Sequence, residues 1–174
     1  MPSVSASRPG EVLLPLDETG LARIADRLML DAVQSLAIGF LHAYANLDHE
    51  RRARDILQRL CPALSISLSS EICPEIRECE RLSTVAANAY IQPLVVDYLD
   101  RLARDLCRIG LSCSVLVMTS GGGLMPLELA KAVPIRLVES GPAGGAVLAA
   151  STAAGSDRHG HPPVAAVPYR PCGN

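Results

Sequence analysis

Apolar positions along the chain change their spacing several times, and each change predicts an element. Behind Asp17, a residue able to cap a helix, Leu21, Ile24, Ala25 and Leu28 recur at helical spacing, with Arg23, Asp26 and Arg27 on the opposite face. Val33–Leu41 reads as a buried strand whose apolar character implies cover on both faces. Asn46 and Asp48 offer a second helix start, and the pattern predicts a helix over 49–60 that buries Ala53, Ile56, Leu57 and Leu60 before Pro62 stops it. A short strand is predicted at Leu64–Leu68 and a connection at Ser69–Pro74. The longest helical stretch covers 84–108, with a kink or break at Pro93, an apolar stripe of Leu94, Tyr98, Leu102 and Leu106, and a stop at Gly110. Beyond it come a strand at Val115–Met118, a short helix at Pro126–Lys131, a strand at Ile135–Val138 and a small-residue helix at Gly141–Gly155.

Helices alternating with strands in this order predict an α/β layered domain with a largely parallel sheet. The domain is expected over 16–155, after a loose Ser/Pro/Gly-rich lead-in at 1–15. The tail at 156–174 has no periodicity and reads as disordered or aberrant. A single Phe, four Tyr and no Trp leave the core to aliphatic side chains and give few platforms for stacking bases. Net charge is −2, and arginines alternate with acids, so the charges read as solvated helix faces; no nucleic-acid partner is expected. No apolar run is long enough for a bilayer and the N-terminus lacks a signal-peptide pattern, so the expected location is cytoplasmic with no membrane partner. The six cysteines form no Cys-x-x-Cys pair and are expected to be reduced and structural, with no metal site.

Several motifs invite a chemical reading. Gly121-Gly122-Gly123 follows a predicted strand and precedes a predicted helix, where backbone N–H groups can cradle a phosphate; a tight turn is the simpler alternative. Ser120 is not in a nucleophile elbow. His49-Glu50 begins like a zinc-protease motif, but Ala53 stands where the second histidine would be. His42 reads as hydrogen-bonded structure. His159, His161 and Cys172 could meet a metal only fortuitously. Glu71, Glu75, Glu78 and Glu80 cluster with Arg77 and Arg81, either as acid–base carboxylates or, more simply, as an exposed charged turn. In Ser140-Gly141-Pro142-Ala143-Gly144-Gly145, the glycines lower helix stability by about 1 kcal/mol each, which makes sense where another backbone must approach closely.

The run Ser69–Thr84, with Ser69-Ser70-Glu71, Pro74-Glu75-Ile76-Arg77-Glu78, Arg81 and Ser83-Thr84, resembles a segment of the hydantoinase/oxoprolinase family, nearer its hydantoinase A-like branch. Asn88-Ala89-Tyr90, Pro93 and Tyr98-Leu99 continue it in register. His42-Ala43-Tyr44, Asn46 and His49-Glu50-Arg51 resemble the preceding loop and helix. Ser120-Gly121-Gly122-Gly123-Leu124 resembles the family's Ser-x-Gly-Gly-Leu turn, and Pro134 with Ser140–Gly145 its Ser-Gly-Pro-Ala segment.

The resemblance implies a partial actin/sugar-kinase/Hsp70-like ATPase fold and an ATP-dependent hydrolase acting on cyclic amides, opening a hydantoin or 5-oxoproline ring. ATP and Mg are expected for the full-length family. Its two Asp-x-Gly-Gly-Thr-like phosphate loops have no counterpart in this sequence, so no cofactor is expected for this chain alone, and it reads as truncated at both ends: a gene fragment, a frameshifted product or a split subunit. The ligand-proximal residues implied are Ser120, Gly121, Gly122, Gly123, Ser140, Gly141 and Gly144, with no catalytic and no metal-binding residue. The alternative is a non-catalytic α/β subunit docking on a chain that supplies the missing lobe. A hydantoinase B-like subunit or self-association is the expected partnership, besides the cyclic-amide substrate.

Overall fold

Strict alternation in Ser65-Ile66-Ser67-Leu68 makes one side of a strand large and apolar and the other small and hydroxylated. In the computed structural model, which describes residues 12, 14–111 and 113–156, this segment is strand β2 (Ser65–Leu68). It pairs in parallel with β1 (Ser35–Ile38), Ser35 beside Ser65 and Ile38 beside Leu68. The chain divides into two compact units, residues 1–93 and 94–174.

In the first unit, helix α1 (Glu18–Leu30) starts where expected: the Asp17 carboxylate accepts the Gly20 N–H at 2.9 Å. Helix α2 (Asp48–Leu60) follows β1, and the Asn46 side chain accepts the Asp48 N–H at 2.9 Å. Leu36, Ile38, Ile66 and Leu68 pack with Leu21 and Ala25 of α1 and with Ala53, Ile56 and Leu57 of α2. Full burial of a side chain such as Leu57 or Leu68 contributes about 1.5–3 kcal/mol. Leu60, expected in this core, is exposed instead, because the helix ends there and turns its last apolar residue outward. After β2 the chain makes one helical turn, α3 (Ser69–Ile72), where only a connection was expected.

The other side of the β1–β2 pair faces the start of α4 (Glu78–Arg108). Ser35 Oγ donates to Ala89 O at 2.5 Å, Asn88 Nδ2 donates to Ser67 Oγ at 3.0 Å, and Ser67 Oγ donates to Gln92 Oε1 at 3.1 Å. Both faces are thus covered, as expected. The reason is an alternation that places Ser35, Ala37 and Ser67 under one helix, not a uniformly apolar strand. Helix α4 begins earlier than expected and is one helix through Pro93, with neither break nor second start.

In the second unit, Leu99 of α4 is buried with Met125 and Ala130, flanked by Val95 and Leu102. Leu94 and Tyr98, expected on this stripe, are exposed; the buried stripe is rotated by one residue. Gly110 closes the helix at φ +86°, its N–H donating to Cys107 O at 3.0 Å. Strands β3 (Leu116–Met118) and β4 (Leu124–Pro126) form an antiparallel hairpin, and β4 had no sequence signal of its own. Helices α5 (Leu127–Ala132) and α6 (Ser140–Ser156) lie close to their expected spans. The expected strand at Ile135–Val138 is instead a 3₁₀ turn, Pro134–Leu137, since Pro134 fixes its first φ and carries no N–H for a ladder. Its Arg136 N–H donates to Val133 O at 3.2 Å and its Val138 neighbour to Ile135 O at 3.3 Å.

The α/β class with a parallel strand pair covered by helices agrees with expectation, and the hairpin adds an antiparallel element. Among the described residues no helix is long and apolar enough to cross a membrane. The expected tail from 157 onward, and most of the lead-in at 1–15, lie outside the described residues.

Candidate functional site

Open α/β sheets present ligands with the carboxyl ends of their parallel strands. Here those ends are the loop after β1, residues 39–47, and the α3 turn after β2. Between them sits a buried ionic cluster. Glu50, on the core-facing side of α2 with Ala53 and Leu57, is 0% exposed. Its Oε1 accepts the Phe40 N–H at 3.0 Å and the Ser69 hydroxyl at 2.5 Å; its Oε2 accepts the Ser70 N–H at 2.9 Å and the Ser70 hydroxyl at 2.7 Å. Arg81, from the first turn of α4, is also 0% exposed. Its Nε donates to Ser69 Oγ at 3.1 Å, one Nη to Phe40 O at 2.8 Å and the other to Glu75 O at 2.9 Å. Ser69 therefore links the carboxylate to the guanidinium, and among the described residues no buried side-chain N or O lacks a partner.

The cluster fixes the loop above it. Phe40 is held at its N–H by Glu50 and at its carbonyl by Arg81. A Cβ on Gly39 would run into Leu82 Cδ2, the end of an exposed side chain that would have to turn away, and would touch Ser69. The chain then reverses at His42, whose φ of +57° is rare outside glycine. Its carbonyl accepts the Ala45 N–H at 2.9 Å, and Ala43 is buried beneath it. The His42 side chain is 72% exposed, with Nδ1 3.9 Å from Glu78 Oε1, an oxygen that also lies 3.5 Å from the His42 N–H. The His42 ring meets Tyr44 edge-on at 5.9 Å, and the Arg81 guanidinium lies 5.8 Å from the Tyr44 ring centre. The Glu78 carboxyl is held below its ordinary range, first by a bond to its own backbone, with the His42 N–H and Arg81 adding to it.

Two sequence expectations change here. Arg81 is not part of an exposed charged turn; Arg77 and Glu80 are, paired at 3.5 Å, whereas Arg81 is buried, bonded to the Glu75 and Phe40 carbonyls and 3.8 Å from Glu78. Glu50, read from the sequence as part of a failed zinc motif and of the family resemblance but given no role, is the centre of the cluster. The available signal was its position: residues 50, 53 and 57 share one helix face, and so do Arg81, Val85, Asn88 and Gln92 on α4.

In the second unit, Ser120–Gly123 is the tight turn of the β3–β4 hairpin, with Gly122 at φ +77°. The Ser120 N–H donates to Arg136 O at 2.8 Å and the Gly122 N–H to Thr119 O at 3.0 Å. Two of the turn's donors are thus engaged inside the fold. The next acid in sequence, Glu128, is ion-paired with Lys131 at 2.7 Å. A nucleotide with its magnesium ion asks for converging backbone donors and a carboxylate; these residues do not fit that demand. The structure does bring the turn beside α6. A Cβ on Gly122 would lie 3.5 Å from Val147, and one on Gly144 would lie 3.0 Å from Met118 Sδ. Ser140 and Gly141 open α6 directly after Glu139, itself at φ +64°. The described residues hold no group of three His, Cys, Asp or Glu side chains suited to a metal.

Two family models match the chain: one described as hydantoinase/oxoprolinase over residues 81–161, the other as hydantoinase/oxoprolinase N-terminal region over residues 4–61. An uncharacterized protein of Methanocaldococcus jannaschii is 39% identical over 81% of this chain and 21% of its own length. The caprolactamase subunit alpha of Pseudomonas jessenii is 31% identical over 77% of the chain and 19% of its own length. The crystal structure of the ATP-dependent caprolactamase from the same organism superposes with a TM-score of 0.76 at 27% identity, covering 88% of this chain and 22% of that one. The chain thus spans about a fifth of the length of these relatives.

Proposed function

Since this chain belongs to the hydantoinase/oxoprolinase family, we propose that it forms one section of an ATP-dependent cyclic-amide hydrolase, a hydantoin or 5-oxoproline ring-opening enzyme. The observation that carries this reading is the superposition on an ATP-dependent caprolactamase across most of the chain. ATP and Mg are then held by loops outside these residues, since two donors of the Ser120–Gly123 turn are engaged within the fold, at Arg136 O and Thr119 O, and the next acid, Glu128, is paired with Lys131. In this reading 16–155 is the functional section. Ser120, Gly121, Gly122, Gly123, Ser140, Gly141 and Gly144 lie near bound ligand as a smooth edge that lets other backbone approach, not as phosphate ligands. Alone, the chain opens no ring.

A relative named as a subunit supports a second reading: a non-catalytic section that docks on a partner chain supplying the ATPase lobe, a hydantoinase B-like chain or a second copy among the candidates. Both readings place the chain in the cytoplasm. Replacing the matching section of the P. jessenii caprolactamase subunit alpha by residues 16–155 tests the first. ATP-dependent ring opening by the chimera is the expected result. A folded, assembled but inactive chimera overturns it and favours the docking reading.

A further inference from the structure

Three large side chains stand on one stripe of α4 with little to cover them: Tyr90 is 86% exposed, Leu94 71% and Tyr98 59%. Steps of four residues keep them on one face of the helix, about 40° apart. Pro93 stands about 100° off that stripe, so its ring does not interrupt it. Steps of three and four residues carry the stripe outward from Leu94 in both directions. Toward the N-terminus it passes Ala87 and reaches Glu80; toward the C-terminus it passes Arg101 and reaches Arg108, and all four are exposed. The stripe has the same spacing read either way from Leu94. An antiparallel second helix laid on it, Leu94 on Leu94, therefore sets Tyr90 against Tyr98, Ala87 against Arg101 and Glu80 against Arg108.

We infer that this face of α4 is the contact surface of a two-fold symmetric dimer, in which a second copy of the chain lays its own α4 antiparallel across it. A two-fold interface needs a patch that complements itself, and this one does so in charge and in size. The acid at one end of the stripe meets the base at the other, twice per dimer. The small Ala87 leaves room for the long Arg101, whose charge Asp97 holds at 2.6 Å. The tyrosine rings flank a leucine pair on the axis. Within one chain Glu80 and Arg108 meet only near neighbours on the surface, Arg77 at 3.5 Å and Asp105 at 3.1 Å, exposed pairs that rearrange at little cost. Two tyrosines able to bury about 150–250 Å² each, with Leu94 between them, give roughly 500 Å² per partner, below the roughly 800 Å² of a standard interface. The dimer is accordingly reversible, forming at roughly 10–100 μM chain. It rests on α4 and holds whether or not the chain serves a hydrolase.

The test follows the intact chain by sedimentation equilibrium from about 5 to about 500 μM. The weight-average mass should climb from 18.4 kDa toward twice that value and stop there. Leu94→Glu changes an exposed side chain, so its circular dichroism should match the parent's, yet it should remain a single chain at the highest loading. Glu80→Arg and Arg108→Glu each set like charges together at two places and should weaken the dimer about tenfold; combined, they recreate the pairs with signs exchanged and should return it to within about threefold of the parent. Should any of these variants lose its fold, oxidative crosslinking decides. Leu94→Cys meets its own twin on the axis and should give covalent dimer well above the level from the parent's native thiols. Glu80→Cys, its twin roughly 40 Å away along the helix pair, should not. A chain that stays single throughout, leaving the face to a different partner, overturns the inference. So does growth past a dimer, a Leu94→Glu chain that associates like the parent, a double reversal as weak as either single change, or equal crosslinking at 80 and 94.

Discussion

Phe40 is the residue on which the two buried charges converge, so damage to either should be felt in the β1 loop. Glu50→Ala strands a buried guanidinium and leaves the Phe40 and Ser70 N–H groups unmet; it should destabilise the chain by about 3–5 kcal/mol, read from the urea midpoint. Gly39→Ala makes the exposed Leu82 side chain turn away and should cost about 1 kcal/mol or less, read from the same midpoint. A much milder pair sits on the surface. Arg52 Nε donates to Glu18 at 2.7 Å, tying α2 to α1, and this bond holds the Glu18 carboxyl below its ordinary value of 4.5. A depressed carboxyl stabilises the fold above its unfolded value, and the contribution vanishes as pH falls through the lower folded value. Arg52→Gln should therefore lower stability slightly at neutral pH, with the difference from the parent chain closing as pH falls through the Glu18 range, read from urea midpoints across pH. The buried charges were legible only in part. Helical phase places Glu50 and Arg81 on core-facing stripes, but composition alone favours solvent for both, because their partners are backbone groups of Phe40, Ser70 and Glu75 and the hydroxyls of Ser69 and Ser70, a set that no sequence pattern reveals.

Helix α6 shows what a single element can and cannot announce. Its glycines pointed to a close crossing by another backbone. Among the described residues only Gly144 has a near neighbour, and that is the flexible end of Met118; Gly145 has open space around its missing Cβ. Gly145→Ala should accordingly stabilise the chain by about 1 kcal/mol through helix propensity. Gly144→Ala should gain less, or lose, as Met118 must shift. Thermal midpoints of the two variants side by side check this, and equal gains would show that Met118 yields freely. Helices were the most readable elements, since caps such as Asp17 and stops such as Gly110 act locally. The strands were less so. Residues 135–138 are apolar enough for a strand, but Pro134 and four residues of length favour a 3₁₀ turn. β4 has only three residues and owes its existence to β3 across the hairpin.

At the scale of the whole molecule, each unit leaves large apolar side chains in solvent: Leu30, Leu41 and Tyr90 in the first, Leu94, Ile109 and Leu148 in the second. Their number predicts concentration-dependent self-association, visible as a shift to shorter retention in size exclusion as loading rises. The family was legible because its motifs are strings of adjacent residues; the Glu50–Arg81 cluster was not, because Arg81 reaches Phe40 from 41 residues away. In the function proposed here these residues carry the family fold but not the nucleotide chemistry. Calorimetric titration of the purified chain with Mg·ATP tests it most directly. The expected trace shows no binding heat up to millimolar nucleotide, as two N–H groups of the Ser120–Gly123 turn are spent within the fold. A saturating isotherm with micromolar affinity would contradict it.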